Sequence, residues 1–326
     1  MESLRPSEEQ HKQVHAAFKH GLRTILLTRL PGNLRKRRHT KASRKQTKKL
    51  KPKIRVLSHE KTHFFPLPAL DEEEASVAGT IRVVEKIFTS LLGLAIEFIE
   101  AELCLLVGDW LTIRNLRLMK DERKDEFTSF LRFDWVQEAA MPFHFQLNAI
   151  YMLFRTHLGT SENPSSLEHH RSLLRRSKLD VKKPEYNKAK ELVEHSLIAR
   201  LLDCTRCDNF YCLCLLATIL TQLNRTVLKK NSIQDLKDWK PSCKTFEQVV
   251  EAVISTYATT SAAHDALEAG DDILAHSILF IRDGLFFWEF CDAVRDADVG
   301  RIWLVYDFWV FMMRGAGCHN YGNEIL

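Results

Sequence analysis

Asp71, Asp109 and Glu289 are the side chains whose type and placement could support hydrolytic chemistry. Asp71 and Asp109 each follow a short apolar run, residues 63–70 and 103–107, and a helical stretch lies between them. Carboxylates on neighbouring strand ends can hold two divalent ions about 4 Å apart, clamping the attacking and leaving oxygens of phosphoryl transfer. A third acid would come from a later helix, where Glu289 is one candidate and Asp283 another. Mg or Mn would be the cofactor if that acid site is real. At Asp109 the favoured reading is structural. Gly108-Asp109-Trp110-Leu111-Thr112 has the pattern of an N-cap, an Asp accepting a backbone N–H of the first helical turn.

Other constellations read as structural. Cys204 and Cys207 have zinc-ligand spacing, but Cys212 and Cys214 follow five residues later, inside an apolar run, and leave no room for a ligand loop. Buried thiols behave as small hydrophobes. His144 sits among aromatics near a helix start, which suits a core or capping role. Arg171, Arg175 and Arg176 near His169-His170 fit a solvated helix face, with a phosphate-facing stripe as the alternative. No Walker loop, GxGxxG, GxSxG or kinase signature is present, so nucleotide hydrolysis and hydride transfer have no support.

The charge is unevenly spread. The 326 residues carry a formal net charge of +5. Residues 1–63 hold 18 Lys+Arg and 4 Asp+Glu, a net of +14, and the remainder holds 29 and 38, a net of −9. Between Arg35 and Arg55, 12 of 21 residues are Lys or Arg and none is acidic. A block of like charge with few apolar residues repels itself, so residues 1–62 are expected to form a basic, disordered arm. Arg35, Lys36, Arg37 and Arg38 form one cluster; Lys48, Lys49, Lys51 and Lys53 form the other. Both suit a nuclear-import signal or contacts to DNA or RNA phosphates, which carry no base information.

The elements that must position these residues are mostly helical. Apolar residues at spacings of three and four predict a helix from about Thr80 to Leu92. Further helices are expected near 111–120, 143–158, 165–176, 185–202, 208–225, 245–257, 262–280, 284–296 and 300–313. Leu103 to Val107 reads as a buried strand, and His63 to Leu70 as a strand or extended edge segment. The fold class is therefore an α-rich α/β protein, with a small β component near residues 63–110 and a large helical region. The longest apolar stretch, Phe210 to Leu220, is too short for the about 20 residues of a bilayer span, and Met1 to Gln10 is too polar for a secretory signal. The expected location is the nucleus, otherwise the cytoplasm, with no membrane contact.

Three segments taken together are more specific: Val107-Gly108-Asp109-Trp110-Leu111-Thr112 with Arg114 and Arg117, then Met141-Pro142-Phe143-His144-Phe145-Gln146-Leu147, then Ile281-Arg282-Asp283-Gly284 through Glu289-Phe290-Cys291-Asp292-Ala293 to Gly300-Arg301. They resemble an uncharacterised, transposon-associated fungal family of unknown function with a GDQLT-like core, an FH segment and an RDG…EFCDA…GR stretch. The resemblance covers residues 63–326 as one domain and leaves out the basic N-terminal stretch. Trp110 stands where that family often has Gln, and Ala297 where Gly often precedes the later Asp. The family usually continues past residue 326, which implies a truncated C-terminus. The resemblance implies a mobile-element origin, and with it an RNase H-like, DDE-type acid site at Asp71, Asp109 and Glu289. The leading expectation is a transposon-derived nuclear protein, associated with nucleic acid through its basic arm. A metal-dependent nuclease or transposase-like enzyme is one alternative. A helical protein-interaction module is the other, and its sign would be a large exposed apolar patch after residue 245.

Overall fold

The computed structural model describes residues 5–29, 38–176, 178–180, 182–217 and 241–326, apart from the side chains of 38–43 and 206–217. It divides into two compact units. The larger holds Met1–Leu57, Ala149–Cys318 and Ile325; the smaller holds Ser58–Asn148, His319–Glu324 and Leu326.

In the smaller unit a βαβ arrangement carries the Asp109 segment. Strand β1 (Cys104–Gly108) pairs in parallel with β2 (Val136–Ala140), with Cys104 opposite Val136 and Gly108 opposite Ala140. A parallel pair needs a long crossover, and here it passes through α5 (Trp110–Arg123) and the short α6 (Ser129–Arg132). Helix α3 (Val77–Glu85) starts on a Ser76 cap and continues into a π-helical turn over Lys86–Leu91; α4 (Ile96–Ala101) follows. Ile81, Val84, Phe88, Ile113, Leu116, Met119 and Trp135 form one apolar core against β1 and β2. Helix α7 (Pro142–His157) contains the boundary between the units.

The chain is an α-rich α/β protein, as its pattern implies, but the strand partner is not the expected one. Residues 63–70 form no strand, and Phe64 and Phe65 are about four-fifths exposed. Pro66 and Pro68 have no N–H to give a ladder, so this stretch cannot take a central place in a sheet. The partner of β1 comes instead from Val136–Ala140, beyond the expected 63–110 window.

The larger unit is built on helices α1 (Glu8–Arg29), α2 (Arg38–Lys49), α8 (Leu167–Leu173), α9 (Tyr186–Ala217), α10 (Cys243–Tyr257), α11 (Thr260–Glu268), α12 (Asp272–Arg295) and α13 (Val299–Gly315); α14 (His319–Glu324) returns to the smaller unit. The expected disordered arm is corrected here. Val14, Phe18, Leu22, Ile25 and Leu26 line one stripe of α1, and the last three are fully buried. Each such side chain contributes about 1.5–3 kcal/mol by leaving water. Phe18 meets Phe286 of α12 edge-on at 4.9 Å between ring centroids. The averaged charge of residues 1–63 conceals this helix: four of its 22 residues are Lys or Arg and two are Glu, while the dense basic block begins beyond it.

Two expected breaks also move. Residues 186–217 are one helix, continuous through Cys204 and Cys207. The helices expected at 262–280 and 284–296 divide at Ala269–Asp271 instead, and Gly284 lies inside α12, where it lets Leu197 of α9 approach closely. The helix expected at 208–225 lies partly outside the described residues.

Candidate functional site

One face of α12 and the start of α13 bring together a dense group of charges in the larger unit. Glu289, Asp292 and Asp296 recur at spacings of three and four, so they share a helix face. Arg301, fully buried on α13, reaches all three. Its Nε and Nη2 donate to the two Glu289 oxygens at 2.6 and 2.9 Å, Nη2 also donates to Asp292 at 2.7 Å, and Nη1 donates to Asp296 at 2.8 Å. Lys51 adds a second cation, 2.8 Å from Asp292 and also paired with Asp296. Arg295 pairs with Asp292 from the outside.

The turn between the two helices explains this convergence. Ala297 adopts φ 53°, and the N–H groups of Ala297 and Asp298 return to the carbonyls of Val294 and Ala293. This is a Schellman ending, in which a left-handed residue reverses the chain. Asp298, fully buried, then caps α13 by accepting the Arg301 N–H, and it also accepts the N–H groups of Ile54 and Arg55 at 3.1 and 2.9 Å. Val56 bridges Asp298, and Leu57 N–H donates to the Ala297 carbonyl. A Cβ on Gly300 would sit 2.5 Å from Ile54 and 2.8 Å from the Arg55 nitrogen, so only glycine admits the incoming strand. The end of the basic segment is thus stitched to the Glu289–Arg301 stretch.

Beside this network lies a cleft of about 540 Å³, bounded by α1, α2 and the end of α12. Arg44, Thr47, Lys48 and Lys51 line one side, with His20 from α1 and Asp292 with Arg295 from α12 on the others. His20 is 7% exposed and its Nδ1 has no hydrogen-bond partner. Burial, aided by the charges of Lys51, Arg301 and Arg23 and opposed by Asp292, lowers the His20 pKa to about 4, so the ring is neutral at pH 7. Burial pushes the Asp292 carboxyl up, but hydrogen bonds and charge from Lys51 and Arg301 outweigh it and hold it at about 2. Burial pushes Glu289 upward against the pull of Arg301.

The sequence candidates fall as follows. Asp109 is the N-cap of α5, accepting the Thr112 N–H at 2.9 Å, and this bond is the main reason that its pKa is lowered. A Cβ on Gly108 would lie 2.7 Å from the Thr112 side chain, so the glycine belongs to the same cap. Asp71 is exposed in a bend after the extended segment and does not end a strand. Asp109 and Asp71 belong to the smaller unit and Glu289 to the larger. Glu289 has both oxygens on Arg301. Asp283 is buried against His157 at 2.8 Å and Arg282 at 2.7 Å. Among the described residues no group of three or more His, Cys, Asp or Glu is arranged to hold a metal ion.

Of the basic candidates, Lys48, Lys49 and Lys53 are exposed, whereas Lys51 is committed to Asp292 and Asp296. Arg38 opens α2, its side chain outside the described residues, as are Arg35, Lys36 and Arg37 altogether. Arg171 bonds Glu168, and Arg176 bonds Glu191 and His195, so the expected arginine stripe is partly internally neutralised. His144 lies in the first turn of α7 and its carbonyl accepts from Asn148. The thiols of Cys207, Cys212 and Cys214 are outside the described side chains.

Sequence reasoning missed the Lys51–Asp292–Arg301 network and His20. The 289, 292, 296 periodicity, followed by an Arg in the first turn of the next apolar helix, was its legible signal.

No helix of the described residues is long and apolar enough to cross a membrane. No curated protein and no solved structure matches the chain. The match to a known family extends over the basic N-terminal residues as well, correcting the narrower span of 63–326 and making them part of the same domain family. Over residues 1–326, the chain belongs to a family of unknown function, DUF6589.

Proposed function

We propose that this is a nuclear, nucleic-acid-associated protein of transposon descent that holds the phosphate backbone through residues 38–55. One observation carries the reading: the block is docked by Lys51 and by Ile54 to Leu57, while Arg44, Lys45, Lys48, Lys49 and Lys53 have no carboxylate partner among the described residues. Such cations, held on a framework, gain affinity by releasing counterions from the phosphates they neutralise. The acidic remainder of the chain offers no broad surface of that kind, so contact is concentrated at this block. A metal-dependent nuclease is less well supported, because Glu289 is fully engaged by Arg301.

Point substitution is the right test, because deleting residues 35–55 would also remove the Lys51 and Ile54 anchors. Neutralising Arg44, Lys45, Lys48 and Lys49 to Gln should weaken binding of a labelled duplex at low salt. It should also flatten the slope of log K against log salt, by up to ~0.9 for each phosphate that is no longer neutralised. Affinity that ignores salt, or that survives the quadruple change, overturns the proposal. Nuclear accumulation of a fluorescent fusion should fall when Arg35 to Arg38 are neutralised together with Lys48 and Lys49. Undiminished accumulation refutes the nuclear part.

A further inference from the structure

We infer that the cleft between α1, α2 and the end of α12 is a site for a phosphate monoester, the terminal phosphate of a nucleic acid strand. This deepens the nucleic-acid reading and rests on it for the identity of the ligand.

The cleft holds a surplus of positive charge. Lys51 and Arg295 face Asp292, and Lys51 with Arg301 also neutralises Asp296, so these cations are internally matched. Arg44 and Lys48 line the same cleft and pair with no carboxylate among the described residues. Two positive charges are therefore left over. A phosphate monoester carries about −1.5 to −2 at pH 7, whereas a backbone diester carries −1. The surplus matches the strand end better than any internal phosphate.

Hydrogen bonding points the same way. His20 lines the cleft, is buried, and has an unpartnered ring nitrogen, a costly arrangement for a polar group. The ring can turn one N–H toward an acceptor while remaining neutral, and the Thr47 hydroxyl lies on the same wall. Asp292 is the one carboxylate on the lining, and its charge is covered by Lys51, Arg295 and Arg301. The cleft is well within the roughly 300–1,000 Å³ of small-molecule sites, large enough for a terminal nucleotide with its phosphate. The binding site is furnished by α2, the element that also carries the exposed cations, so a strand lying along α2 could place its end in the cleft.

The test compares one labelled single strand carrying a 5′-phosphate, a 3′-phosphate or hydroxyls at both ends, by fluorescence anisotropy at fixed salt. One phosphorylated strand should bind about tenfold tighter than the hydroxyl strand. Millimolar inorganic phosphate should erase that preference. Arg44→Gln and Lys48→Gln should each remove the preference while keeping the melting temperature of the wild-type protein; His20→Phe, melted in parallel, should reduce it. Equal affinity for all three strands overturns the terminal-phosphate site while leaving backbone binding intact. A preference that persists in both Arg44→Gln and Lys48→Gln overturns the placement in this cleft. If no strand binds but phenyl phosphate raises the melting temperature in an Arg44-dependent way, the monoester chemistry stands and the nucleic-acid source is refuted. If neither strand nor phenyl phosphate acts, both readings fall.

Discussion

The two units use carboxylates in opposite ways. In the smaller unit Asp109 is half-buried, bonded to a helix N-terminus, and needs no cation. In the larger unit Glu289 and Asp292 are buried and depend on Arg301, itself fully buried, with Lys51 at the rim. A cap satisfies backbone donors that would otherwise be orphaned, so its loss costs only one local bond. A buried network has desolvated several charges at once, and removing one member strands the rest. Acids that look equally suited to catalysis in the sequence therefore differ several-fold in what the fold asks of them.

The sharpest way to break this comparison is Arg301→Met. It leaves three carboxylates facing each other and should destabilise the larger unit by about 3–5 kcal/mol, read by urea unfolding. Glu289→Gln keeps the shape and should cost less. A free catalytic Glu289 would instead tolerate the change with little loss of stability, and that outcome would refute the structural role.

Acid should separate the units next. His20 is held at about 4 in the fold against 6.5 unfolded. The fold therefore resists protonation, and the stability this gives is present above pH 6.5 and lost as pH falls towards 4. The amount is about 3 kcal/mol from the size of the shift. His170, held at about 4 chiefly by burial, acts in the same window. Asp292, held at about 2 against 3.8, adds about 2 kcal/mol that is present above pH 3.8 and lost as pH falls through 2. Hydrogen exchange followed by mass spectrometry should show the larger unit opening between pH 6.5 and 4, before the smaller. His20→Gln with His170→Gln should reduce that early step. Simultaneous opening of both units would count against the contrast.

Asp109→Ala should cost only about 1 kcal/mol in the smaller unit, and Asp109→Asn a few tenths, because Asn caps almost as well. A larger loss in both variants, with folding intact, would give Asp109 a role beyond the cap. The smallest effect has the opposite sign. Ala297 occupies the left-handed region at φ 53°, where a Cβ is penalised. Ala297→Gly should stabilise the larger unit by about 1 kcal/mol or less, once the greater freedom of unfolded glycine is counted. A thermal melt that falls would show that the turn is held for another reason.

Much of the architecture was legible. Helices α3, α5, α7, α10 and α13 follow apolar spacing, and the Gly108-Asp109 junction announced both the end of β1 and the cap of α5. Other features were not. Of the two readings of 63–70, strand or extended edge segment, the strand is absent, because apolar content cannot replace the N–H groups missing from Pro66 and Pro68. The helix at Glu8–Arg29 is hidden because its modest charge is averaged with the dense basic block that follows. The expected helices 262–280 and 284–296 divide instead at Ala269–Asp271, and Gly284 lies inside α12, where it serves close packing.

Composition and periodicity by themselves determined that the chain is α-rich, that its positive charge is concentrated in residues 35–55, and that Asp109 stands at a strand-to-helix junction. These are local properties, carried by neighbours a few residues apart. Tertiary structure alone decided which carboxylates are engaged, that Lys51 anchors while Lys48 and Lys49 remain exposed, and that His20 from α1 shares a cleft with Asp292. The Lys51 and His20 facts depend on contacts across 200 residues or more, and even the nearer Arg301 pairs depend on how α12 and α13 pack, where burial changes what a charge costs.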